Sequence, residues 1–186
     1  DKKFVILGNQ NAITYKEIFT YIKENQLWLG STLSFAKFKV PDYYEPRATR
    51  FWIDENGQKW RSMGNICWFT NLDIAKRHEE IILYKTYNPE DYPKYDNYNA
   101  INVNKVADIP MDYDGVIGVP ITFLDKYNPK QFEIIGLDRY VEDNPKYGHR
   151  FTINSKETYA RILIRRRKQD EAQMPIAAEG NPEYGK

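Results

Sequence analysis

The chain has 186 residues, with 27 basic and 26 acidic side chains for a net charge of +1 and a mean hydropathy of −0.72. That length suits one domain or slightly more with a real core, and the near-zero charge excludes a global field toward nucleic acid, so any such surface is a local patch. No apolar run approaches the roughly 20 residues of a membrane span, which predicts no membrane partner. The single cysteine, Cys67, excludes an intramolecular disulfide framework and a multi-cysteine zinc site, and fits a reducing, cytoplasmic compartment.

After Asp1-Lys2-Lys3 the chain enters an apolar run at once, Phe4-Val5-Ile6-Leu7, ended by Gly8. A continuous run with β-branched members reads as a strand buried on both faces inside a parallel sheet. Its neighbours would have to come from elsewhere, which predicts a piece of a larger protein cut upstream of Asp1; the alternative is a processed N-terminus on a complete domain. Asn9-Gln10-Asn11 reads as a polar loop. Thr14 with Glu17 reads as a capping box for a helix running to about Asn25, with Ile18, Phe19 and Ile22 on one face. Leu27-Trp28-Leu29-Gly30 is a second short strand, which completes a βαβ-like unit.

Residues 31–62 change character. The stretch 31–40 alternates partly, 41–47 reads as loop, and 50–53 and 58–61 flank Asp54-Glu55-Asn56-Gly57, whose Asn-Gly predicts a hairpin turn. Basic and aromatic residues interleave here. Residues 65–70 read as a buried strand, 80–84 as another, and Asn71-Leu72-Asp73 as a turn. The stretch 86–115 is loop-rich and carries five of its tyrosines at Tyr87, Tyr92, Tyr95, Tyr98 and Tyr113, a density that favours ordered packing over a free linker. Residues 132–137 are strand-like, 151–153 and 159–164 pair plausibly as a hairpin, and the end beyond Gln169 reads as a polar tail.

Four segments taken in order carry a family resemblance: residues 3–15 (Lys3-Phe4-Val5-Ile6-Leu7-Gly8-Asn9-Gln10-Asn11 onward), 64–72 (Gly64-Asn65-Ile66-Cys67-Trp68-Phe69-Thr70-Asn71-Leu72), 119–136 and 159–165. From about Lys3 to Arg167 the chain resembles the EcoRI-type adenine-specific DNA methyltransferases. The resemblance implies an α/β protein, the C-terminal part of a Rossmann-like fold with a mixed sheet and a β-rich and loop-rich DNA-recognition region. It implies S-adenosylmethionine as cofactor, double-stranded DNA as partner, and methyl transfer to the N6 of adenine within a restriction-modification system. Such enzymes carry an Asn-Pro-Pro-Phe catalytic loop. None of the four Asn-Pro pairs here, at Asn88, Asn128, Asn144 and Asn181, has a second proline, so the resemblance places the catalytic residues upstream of Asp1 and makes the isolated chain inactive. The implied organisation is 1–85 for the methyltransferase part with an inserted hairpin at about 31–62, 86–168 for target recognition, and 169–186 for the tail.

An adenine N6 inside a duplex is out of reach of an enzyme, so the base must be flipped out at a cost of a few kcal/mol, offset by stacking and hydrogen bonds. Asn9 and Asn11 follow the first strand, at the end where open α/β sheets place ligands, and are the candidate cofactor contacts; a loop capped by asparagine is the plainer alternative. Trp68, Phe69 and Asn71 are the base-pocket candidates. Strict alternation turns Trp68 and Phe69 opposite ways, so at most one faces the pocket; Phe69 is favoured because it lies nearer the strand end, and burial of both in the core is the alternative. Lys37, Lys39, Arg47, Arg50, Lys59 and Arg61 are the candidate DNA contacts, set against an ordinary solvated hairpin. The basic end, 165–168, reads by default as solvated. No residue spacing marks a metal site: His78-Glu79-Glu80 lacks a second histidine, and Asp112-Tyr113-Asp114-Gly115 lacks calcium-loop spacing. A non-catalytic, Tyr-rich module for nucleic acid or carbohydrate is the competing function.

Overall fold

The computed structural model describes residues 2–30 and 37–168. In chain order it holds β1 (Val5–Asn9), α1 (Lys16–Lys23), β2 (Trp28–Leu29), β3 (Lys37–Lys39), β4 (Phe51–Ile53), β5 (Lys59–Ser62), β6 (Ile66–Thr70), β7 (Ile101–Asn102), β8 (Ile117–Pro120), β9 (Phe132–Leu137), β10 (Thr152–Ile153), β11 (Lys156–Glu157) and β12 (Arg161–Arg166). The result is a mixed α/β architecture of several small sheets and few helices.

One sheet has the order β1-β6-β2, with β6 antiparallel to both neighbours. β1 and β2 therefore run parallel on either side of β6, joined by α1. The helix buries Phe19 and Ile22, three residues apart on one face, and lies against β9. A four-stranded sheet, β7-β8-β12-β9, forms the other wall of the core. Alternation along β12 divides its side chains between two apolar clusters. Ile162 and Ile164 join Ile13, Phe19, Phe69, Ile117, Phe123 and Phe132, whereas Leu163 joins Tyr95 and Phe151. Phe123 and Phe132 meet edge to face at 5.4 Å.

Among the described residues most buried polar groups have partners; Arg61 Nε and Arg139 Nε do not. The Arg161 guanidinium, 7% exposed, donates from Nε to Asn102 Oδ1 and from Nη2 to Asn104 Oδ1, each at 2.9 Å. Tyr95 donates its hydroxyl to the same Asn102 oxygen. Asp138, fully buried, pairs with Arg150 at 3.2 Å; burial still raises its carboxyl above the ordinary range.

Several local expectations are corrected. β1 is an edge strand rather than an interior one, its neighbour is antiparallel, and Val5, Ile6 and Leu7 are 54%, 55% and 47% exposed. An apolar run reports that a strand needs cover, but not what supplies it; among the described residues only β6 pairs with β1. The stretch after β1 is a 3-10 turn, Gln10–Thr14, not a loop, and the Asn9 side chain caps it. Thr14 forms no capping box, because its hydroxyl donates to Asn11 O inside that turn and Tyr15 holds the cap position of α1. Residues 80–84 form no strand. The Gln131 side chain takes both the N–H and the carbonyl of Ile81, which replaces a ladder with an amide clamp. β10 does not pair with β12. It closes on β11 through Asn154 and Ser155, both at positive φ, which leaves β12 free to sit between β8 and β9. The first part of the expected 31–40 segment and the 169–186 tail lie outside the described residues.

Gly118 on β8 faces the Tyr95 ring so closely that a Cβ would fall on its hydroxyl. Gly118→Ala is expected to lower the unfolding free energy in urea by about 1–3 kcal/mol, the usual cost of overpacking. Wild-type stability would show that Tyr95 is free to move.

Candidate functional site

Alternation along β1 sends Phe4, Ile6 and Gly8 toward α1, and together with Ala12, Ile18, Tyr21, Leu27, Trp28 and Phe69 they line an open groove of about 930 Å³. Gly8 is what admits Phe69, since a Cβ there would stand 2.9 Å from the ring. Asn71 clips the N-terminal segment to the end of β6: its Oδ1 accepts from Phe4 N at 3.0 Å and its Nδ2 donates to Lys2 O at 2.9 Å. Thr70 donates its hydroxyl to Phe4 O at 2.7 Å. Trp28 donates from its indole to Leu72 O, and the Arg77 guanidinium lies 3.7 Å from its ring centroid.

The structure brings Phe69 and Asn71 together on this groove. Trp68, 40% exposed, stands on the opposite face of β6, directly across from Leu7. Asn9 is the last residue of β1, Asn11 follows it in the 3-10 turn, and neither is in the lining; the Asn9 carboxamide oxygen accepts from Asn11 N at 2.9 Å. The sequence reading missed Tyr21, Trp28, Lys2 and Lys3 as groove residues. The three-residue spacing of Ile18 and Tyr21 could have found one helix contribution, but nothing local marks the lysines.

Chemically the groove is an apolar slot with flat walls, and its lining holds no carboxylate, imidazole or thiol. Its polar side chains are Lys2, Lys3, Tyr21, Asn25, Gln26 and Asn71. Cys67, next to Phe69 in sequence, is buried and its thiol is pushed up to about 11 by desolvation, so it is no nucleophile. Among the described residues no cluster of three metal-ligating side chains occurs. The asparagines of the described Asn-Pro pairs are spent on local structure. Asn88 accepts from Asp91 N, Asn128 binds Glu79 O and Lys130 N, and Asn144 binds Asp138 O, His149 O and Lys146 N.

The six basic DNA candidates separate across the β3-β5-β4 sheet, whose register sets Lys39, Trp60 and Trp52 in one row and Phe38, Arg61 and Phe51 in the next. On the first face Trp52 and Trp60 stack at 6.5 Å, and the Lys37 and Lys39 ammonium groups lie 5.7 and 5.6 Å from the Trp60 centroid. On the reverse face Arg61 donates to the Tyr44 hydroxyl, Lys59 donates to the carbonyls of Asp42 and Tyr44, and Arg47 lies over the Tyr44 ring. Arg50, at positive φ, lays its guanidinium against Gly64. The expected Asp54–Gly57 turn is present, with Gly57 at φ +77°.

Asp54 holds this turn and the tryptophan face together. Its Oδ1 accepts from the backbone of Asn56 and Gln58, and its Oδ2 accepts from the Trp60 indole at 2.8 Å. The indole bond, chiefly, keeps the carboxyl below its ordinary value of 3.8. A depressed carboxyl contributes stability that is present above its unfolded value and lost as pH falls through the folded one. NMR titration is expected to show the Trp60 indole proton shifting with the Asp54 carboxyl below pH 3.8, and Asp54→Asn is expected to abolish that step. An indole signal that titrates at the ordinary value would contradict the bond.

The family model described as adenine-specific methyltransferase EcoRI matches residues 1–168. The chain is 50% identical to the type II methyltransferase M.EcoRI of Escherichia coli over 172 residues, covering 90% of this chain and 51% of that protein. It is 37% identical to the type II methyltransferase M.MgeORF184P of Mycoplasma genitalium and 35% identical to M.MpnI of Mycoplasma pneumoniae, covering 90% of this chain and 58% and 57% of those proteins. The chain thus spans about half the length of the curated relatives it matches. No solved structure matches it.

Proposed function

Because the chain belongs to the family of EcoRI adenine-specific methyltransferases, we propose that it is the C-terminal part of a cytoplasmic, site-specific DNA adenine N6-methyltransferase of a restriction-modification system. The substrate is double-stranded DNA and the methyl donor S-adenosylmethionine. The observation that carries this is β1: three consecutive apolar side chains stand half exposed on a strand whose outer edge lacks a partner among the described residues. Such an edge is a template for another strand. In a chain about half the length of its relatives, the remaining polypeptide is the fitting occupant, and it would extend this sheet into a Rossmann-like one and bring the Asn-Pro-Pro-Phe loop that the sequence here lacks.

In that arrangement the groove under β1 supplies binding and not chemistry. Phe69 and the apolar walls suit a planar purine, and exclusion of water there would favour stacking over solvation. Bound S-adenosylmethionine supplies the methyl group on a sulfonium. The groove fits an adenine ring but has no carboxylate for ribose hydroxyls, so the rest of that cofactor's contacts fall to the remaining polypeptide. Asn9 and Asn11, at the C-terminal end of β1 and outside the groove lining, would meet the cofactor only through that remaining polypeptide.

Methyl transfer to duplex DNA separates the possibilities. The product of the complete reading frame is expected to be active and the 186-residue chain alone inactive. Phe69→Ala in the active protein is expected to lower kcat/KM roughly 10- to 100-fold, the equivalent of one lost stacking interaction. Transfer by the isolated chain, or full activity of Phe69→Ala, would contradict the proposal.

A further inference from the structure

We propose that the tryptophan face of the β3-β5-β4 sheet, built from Lys37, Lys39, Trp52 and Trp60, is the surface that grips the sugar-phosphate backbone of duplex DNA, and that the reverse face of the same sheet is structural; this rests on the DNA reading above and says where on the chain contact is made. The residue types alone give six equivalent cations. The structure makes them unequal.

On the reverse face the cations already have work. Lys59 and Arg61 tie the 41–47 loop to β5 through two carbonyls and the Tyr44 hydroxyl, and both are only partly exposed, with Arg61 Nε buried, so their donors are turned to the protein rather than outward. The field of Arg61, bonded to that hydroxyl, and of Arg47 beside it lowers the Tyr44 phenol. Arg50 is folded against Gly64. Lys37 and Lys39 differ. Both are exposed, and neither forms an ion pair among the described residues.

Their placement matches a nucleic-acid strand. Residues two apart on one strand stand on the same face about 7 Å apart, the order of the separation between successive phosphates. Between and beside them lie two stacked indoles, flat apolar plates suited to the C–H edges of deoxyribose. Trp60 is pinned by Asp54, so the platform is ordered before any ligand arrives, and Trp52 remains 39% exposed on top of it. The Asp54 carboxylate accepts from three donors and also feels the Lys39 ammonium. Lysines on phosphates position a protein without reading sequence. The face is therefore a grip, and base discrimination belongs elsewhere.

The test is the salt dependence of duplex binding by the product of the complete reading frame, followed by fluorescence anisotropy on two duplexes of equal length and unrelated sequence. Each lysine that neutralises a phosphate contributes about 0.9 to the slope of log K against log salt. Lys37→Ala with Lys39→Ala is expected to flatten that slope by about 1.8 and to weaken both duplexes equally. Lys23→Ala, which removes one positive charge from the end of α1, is expected to leave the slope alone. The lysines are surface residues, and the Trp60 indole proton reports that the sheet is intact in each variant. A wild-type product that binds duplex while the double variant keeps its slope and affinity would overturn the grip and leave the DNA reading standing. A complete product that binds no duplex would overturn both.

Discussion

A β-strand that carries Val5, Ile6 and Leu7 in succession places apolar groups on both of its faces and hydrogen-bonding groups along both of its edges. Here one edge pairs with β6, one face lies along the α1 groove, and the rest meets solvent. Covering the exposed half of three such side chains is worth about 3 kcal/mol, before the hydrogen bonds of a second ladder are counted. That is a large fraction of a small protein's stability. The groove, the placement of Phe69 and the orientation of Trp68 all follow from how β1 sits on β6.

The rest of the molecule anchors that sheet. α1 crosses from β1 to β2 and packs on β9, so the groove is fixed to the four-stranded sheet through the same apolar cluster that holds Phe123, Phe132 and Ile162. Arg161 and Asp138 each act through neighbours that would be left unsatisfied without them. The β3-β5-β4 sheet differs in kind. It has little apolar cover, and its order comes from a turn carboxylate and from cation-aromatic contacts.

Strands β1, β2, β4, β5, β6 and β9 were legible from apolar runs and from the Asn-Gly turn, because those signals are local. What failed was decided at a distance. Residues 80–84 look like a strand, yet a single side chain fifty positions away, Gln131, occupies the backbone of Ile81. The pairing of β12 with β8 and β9 is a choice among partners that local sequence does not rank. At the site, alternation alone separated Trp68 from Phe69. It could not divide the basic residues, since which lysine is free depends on the carbonyls that the 41–47 loop offers to Lys59.

Hydrogen exchange at β1 tests the central claim most directly. The amides of residues 5–9 that point away from β6 are expected to exchange at nearly unprotected rates in the 186-residue chain. In the product of the complete reading frame a second strand is expected to slow them by about 100-fold or more, since their opening would then require breaking that ladder. If those amides stay unprotected in the complete product, the bare edge of β1 is not where the rest of the enzyme seats.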